Sequence, residues 1–294
     1  MTRIIAIANQ KGGVGKTTTA INLSAALAHF GKDVLLIDFD AQGNSGRGLG
    51  IDVTSLRETV YDAVICHADV NVLIKPTAVE KLWLLPSNLK LASLDSYLVS
   101  QGAQNPFFLL KDTLKKIKAN FDYIIIDCPP SLGLLNVNAL VASNEVIVPV
   151  QCEYFAMEAV AAILSSITKV QNDYNPDLKI EGFLLTMYDP RTSLDTEVAM
   201  QVRRLFKENT FSTSIPRNVS IPESSARGEP VTTWRPSAQG SLAYFALARE
   251  VMDRDRGAFH QIGDQASDEH DPLRGRALRF PLFDCLHFAR RFDL

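Results

Sequence analysis

Gln10-Lys11-Gly12-Gly13-Val14-Gly15-Lys16-Thr17-Thr18 stands between a short apolar run, Ile4 to Ala8, and a helix-compatible stretch, Thr17 to Phe30. A strand, a glycine-rich turn and a helix N-terminus in that order make a phosphate-binding loop. Glycine lets successive backbone N–H groups curl around phosphate oxygens without interference from a Cβ, and the helix dipole adds positive potential at the same place. Within this cradle, Gly12 to Thr18, Lys16 is placed to neutralise terminal phosphates and Thr17 to offer a hydroxyl to Mg²⁺. The pattern GxxxxGK[ST] is broken at one point, where Gln10 replaces the first glycine, and Lys11 adds a second lysine inside the loop.

Working outward, further short and nearly continuous apolar runs occur at Val34 to Ile37, Tyr123 to Ile126, Val146 to Val150 and Ile180 to Thr186. Such runs are the mark of parallel strands buried on both faces. Helix-compatible segments lie at Pro106 to Ala119, Glu158 to Asn172, Thr196 to Glu208 and Ser241 to Met252. Strands alternating with crossover helices predict an α/β, doubly wound, mostly parallel sheet whose chemistry sits at the strand C-termini.

The 294 residues are 46% hydrophobic and 21% charged, which excludes a largely disordered, collagenous or coiled-coil chain. Thirty Lys and Arg against thirty-three Asp and Glu give a net charge of -3, so any nucleic-acid binding has to come from a local patch. Cys66, Cys128, Cys152 and Cys285 form no CxxC pair, and reduced thiols are expected. The first apolar run is too short for a signal-peptide core or a membrane span, and a cytoplasmic protein is expected. Composition changes near Arg254: residues 1–256 read as one folded domain, and residues 257–294 as a disordered tail.

The motif KGGVGKTT resembles the deviant Walker A sequence of the ParA/Soj family of partition ATPases, shared with MinD and the nitrogenase iron protein. The resemblance extends from residue 1 to about residue 253 and is carried by four further blocks: VLLIDFDAQGN, YIIIDCPPSLGLLNVNAL, GFLLTMYDPRTSLD and IPRNVSIPESSARGEPV. It implies a P-loop ATPase using ATP and Mg²⁺, in which Lys11 reaches across a homodimer to the partner's nucleotide. It assigns Asp40 to positioning the attacking water, and Asp127, the Walker B position, to a Mg²⁺-bound water. Pro216 and Asn218 fall beside the adenine, and Arg191 and Arg217 on a DNA-facing surface. The function implied is ATP-gated, sequence-independent DNA binding at the nucleoid, timed by hydrolysis that a ParB-like centromere-binding partner stimulates.

Two departures from the family pattern are visible. Ala41 replaces the usual proline of DPQGN, and Ser220 and Glu229 stand where relatives commonly carry basic residues. The alternative is a MinD-like membrane-associated ATPase that regulates cell-division positioning through a C-terminal amphipathic helix. As a helix, Pro281 to Leu294 would align Leu282, Cys285, Leu286, Ala289 and Phe292, but Asp284 and Asp293 oppose an anionic surface and the internal blocks are Soj-like.

Overall fold

The structure, a computed structural model, describes residues 2–101, 105–131 and 133–264. Among these, seven strands form one sheet in the order β3-β4-β2-β5-β1-β6-β7. They span Arg3–Ile7 (β1), Val34–Asp38 (β2), Lys75–Pro76 (β3), Leu82–Leu85 (β4), Tyr123–Asp127 (β5), Glu145–Gln151 (β6) and Lys179–Thr186 (β7). All neighbours pair in parallel except β3 with β4, which is antiparallel at the edge. The doubly wound, mostly parallel sheet expected from the alternating runs is therefore present, and the five expected strands are each found within about a residue of their expected ends.

The continuous apolar runs follow from burial on both faces. In β1, Ile5 and Ile7 pack into the core under the first helix, α1 (Lys16–His29), and the last described helix, Gln239–Asp264, while Ala6, and Ala8 just past the strand end, enter the core on the opposite face. Because alternate side chains point to opposite faces, a strand covered on both sides has no position left for a polar residue. α1 is itself almost wholly buried, from Thr19 to Ala28, which explains its lack of a charged face.

Several local expectations are corrected. The segment Pro106 to Ala119 yields only the helix Leu109–Leu114, because its end tightens into three-residue turns, Lys116 N to Thr113 O at 3.0 Å and Ile117 N to Leu114 O at 3.1 Å. The helix expected over Thr196 to Glu208 spans Ser193–Phe206, and Lys207 at φ 44° turns the chain out of it. β3, β4 and the helix Leu134–Ala142 had no counterpart in the sequence reading. The helix Gln239–Asp264 runs through the expected body-tail boundary at 256, and residues 265–294, most of the expected tail and all of the amphipathic stretch, lie outside the described residues.

Candidate functional site

The sheet register assembles the site. β5 lies between β1 and β2, with Asp127 level with both Ile7 and Asp38, so the loop after β1 rises beside two buried carboxylates. Gly13 at φ 77° and Gly15 at φ 89° hold left-handed conformations that a side chain would strain. Gly15 caps α1 and accepts the first helical bond from Thr19 N at 2.8 Å, leaving the earlier N–H groups of the helix directed into the loop. A Cβ built on Gly12 or Gly13 meets no atom within 4 Å, so both glycines face open space.

Three contacts that the sequence reading did not anticipate hold this loop in shape. Asn9 accepts from Lys11 N at 3.0 Å through its side-chain oxygen and donates its amide to Pro149 O at 2.7 Å, tying the start of the loop to β6. Pro149 is tolerated in an inner strand because β6 there has outrun its pairing with β1, so its missing N–H costs no ladder bond and its carbonyl is available to Asn9. At the apex, Thr186 Oγ1 donates to Val14 O at 2.9 Å from the end of β7, while the Val14 side chain is buried. The available signal was polarity at a strand end: Asn9 and Thr186 are both almost fully buried.

Lys16 is 6% exposed and donates from Nζ to Lys11 O at 2.8 Å, bent back over the loop. Burial lowers its pKa, opposed by the nearby charges of Asp127 and Asp40. Asp127 is fully buried: burial pushes its carboxyl up to about 7, while hydrogen bonds from the Ser45 and Thr17 side chains pull it down. Its Oδ1 is buried without a hydrogen-bond partner. An orphaned carboxylate oxygen beside the Thr17 hydroxyl at the rim of an open phosphate cradle fits Mg²⁺ held by Thr17 directly and by Asp127 through water.

Asp38 and Asp40, quoted together in the sequence, have separate roles. Asp38 is fully buried and accepts from Gly46 N at 3.1 Å and Asp40 N at 3.3 Å; burial and the Asp127 charge raise its pKa well above the carboxylate range. It anchors the loop into α2 (Asn44–Gly48). Asp40 is 8% exposed and accepts from Gln42 N at 3.0 Å in a tight turn, close enough to Asp127 and Lys16 for their charges to interact.

Pro216 is brought to the same end of the sheet, in a bridge with Tyr188 two residues beyond Thr186. Asn218 accepts from Ser220 N at 3.0 Å and so opens the helix Ser220–Arg227. Arg191 and Arg217 are both exposed around Asp189; Arg191 holds it in two bonds of 2.9 and 2.6 Å, and these bonds bring the Asp189 carboxyl down to about 2. Ser220 is buried and receives Arg235 Nη1 at 3.5 Å, so a guanidinium stacked on Trp234 stands at a position where the residue itself is not basic. Glu229 is exposed and Ala41 buried.

The chain matches the family model described as an AAA domain over residues 2–180. Sporulation initiation inhibitor protein Soj of Bacillus subtilis is 48% identical over 251 residues, covering 85% of this chain and 98% of that protein. Chromosome partitioning protein ParA of Myxococcus xanthus is 46% identical over 253 residues, covering 86% and 89% respectively. Among solved structures, cobyrinic acid a,c-diamide synthase from Mycobacterium smegmatis, with bound ADP and magnesium, superposes with a TM-score of 0.77 at 36% identity, covering 88% of this chain and 97% of that one. A phosphate loop with two lysines, the carboxylates behind it, and identity over nearly the whole length of Soj agree: this chain belongs to the Soj/ParA family of chromosome-partitioning proteins.

Proposed function

We propose that this protein is an ATPase of chromosome or plasmid partition that dimerises on ATP, binds DNA without sequence preference, and is released when a ParB-like partner stimulates hydrolysis. The observation that carries the reading is the convergence of Lys16, Asp40 and Asp127 behind an open glycine cradle whose second lysine stands on its rim. The backbone N–H groups of the loop and Lys16 take the phosphates of ATP. Thr17 and, through water, Asp127 would hold Mg²⁺, which supplies charge neutralisation on the β and γ phosphates. Asp40, turned in by its bond from Gln42 N, orients the attacking water. Lys11 from a second copy provides the remaining positive charge on the transferring group.

The loop that carries Asp40 leads into α2, whose Ser45 bonds to Asp127, so a change at the phosphates can be passed to that helix. Pro216 and Asn218 serve the adenine, and Arg191 and Arg217 the phosphates of DNA. That placement makes the protein nucleoid-associated in the cytoplasm. The membrane-associated reading rests on Pro281 to Leu294, outside the described residues, and no described helix is long and apolar enough to cross a membrane.

The deciding experiment is a DNA-binding titration with ATP, then with ADP, then with ATP and the adjacent-gene partner. Tight binding only with ATP, shortened by the partner, is expected. Equal binding in both nucleotides would overturn the proposal.

A further inference from the structure

Lys11 is committed within its own chain. Its ammonium forms an ion pair with Glu153 Oε1 and lies 5.9 Å from the centre of the Phe155 ring. Both partners come from the turn between β6 and the helix Ala156–Asp173, a turn closed by Glu153 N to Gln151 O at 2.9 Å and Ala156 N to Glu153 O at 3.0 Å. The Lys11 backbone is held as well, its N–H by Asn9 and its carbonyl by Lys16. Only the Lys11 side chain is left to choose a position, and it cannot serve Glu153 and a second chain's phosphates together.

The Lys11 and Glu153 side chains are 31% and 33% exposed, which decides how firmly the pair holds. A half-solvated ion pair of this kind shifts an equilibrium by no more than about fivefold. It can therefore be broken by a stronger anion, and a nucleoside triphosphate carries several charges where Glu153 carries one.

We propose that Glu153 is a positioning residue that latches Lys11 in cis, with the Phe155 ring as backing, and so sets the threshold at which nucleotide draws two copies together. The inference rests on the trans role of Lys11 proposed above. The latch adds a cost to dimerisation that is met twice, once per copy, and a free monomer keeps its second lysine away from its own phosphates.

Light scattering against protein concentration at saturating ATP, on the full chain, tests it with Glu153→Gln, Glu153→Asp and Lys11→Ala. Glu153→Gln is expected to dimerise about tenfold more readily than the wild type, since two latches are removed. Glu153→Asp, which keeps the charge, is expected to stay near the wild type, and Lys11→Ala to remain monomeric. Glu153→Gln dimerising no more readily than the wild type, while Lys11→Ala is monomeric, overturns the latch. A dimer of Lys11→Ala overturns the trans role instead, whatever Glu153→Gln does. Thermal melts of the nucleotide-free single and double variants isolate the pair itself: melting shifts that do not add indicate the cis contact, and additive shifts refute it.

Discussion

Ser45 Oγ donates a 2.8 Å hydrogen bond to Asp127 Oδ2, joining α2, the short helix that follows β2, to the end of β5 with both residues fully buried. A buried hydrogen bond to an ionisable group contributes roughly 1–3 kcal/mol. Ser45→Ala is expected to lower stability by about that amount and to slow hydrolysis several-fold while ATP binding persists, because the phosphate cradle is untouched. Paired melting and phosphate-release measurements check both; no change in either would show that the link carries nothing.

Lys16→Ala should abolish ATP binding. Its Nζ sits over the loop, buried against Lys11 O, and the loop's other lysine, Lys11, has its ammonium paired with Glu153. Fluorescent-nucleotide titration gives the answer, and retained affinity would move the phosphate site elsewhere.

Asp40→Ala is expected to bind ATP, dimerise and stay on DNA while losing hydrolysis. The carboxylate is the member of the site's acidic group set in a tight turn beyond the strand end and still 8% exposed, whereas Asp38 and Asp127 are sealed in the sheet. Hydrolysis at the wild-type rate would remove Asp40 from the water-positioning role.

For DNA, Arg217→Glu should be the more severe of the two surface reversals. Arg191 is already paired with Asp189, so Arg191→Glu loses a partly neutralised charge, and Asp189→Asn should strengthen binding by freeing that guanidinium. With roughly four arginines per dimer, log affinity should fall against log salt with a slope on the order of -3 to -4. Filter binding across a salt series reads both effects; a salt-independent affinity would point to another surface.

Stability should depend on pH through Glu181, at the opposite end of the sheet. Burial pushes this carboxyl from an ordinary 4.5 up to about 7, opposed chiefly by Arg3 at 3.2 Å. The folded state thus holds a proton that the unfolded chain releases, so the contribution of Glu181 is present below pH 4.5 and is lost as pH rises to 7. Glu181→Gln should remove this slope and be more stable than the wild type by on the order of 2 kcal/mol at pH 8. Urea titrations at pH 5 and pH 8 test it, and a pH-independent difference would contradict it.

The parallel sheet, the phosphate loop and the place of Asp127 were legible in the sequence because each is a local pattern. A strand buried on both faces has to be apolar throughout, and a cradle of backbone N–H groups has to be glycine-rich, so residues 4–8 and 10–18 announce themselves. Tertiary structure alone decided which distant groups meet that loop. Asn9 on Pro149, Thr186 on Val14, Ser45 on Asp127 and Glu153 on Lys11 each join segments far apart in the chain, or close them across neighbouring strands. Nothing in the spacing of Lys11 and Glu153 ties them together; they meet because β6 pairs beside β1 and ends where the loop begins. The division of labour between Asp38 and Asp40 has the same origin, since two residues apart on a chain leaving a sheet is the difference between a carboxylate sealed against Asp127 and one turned toward the site.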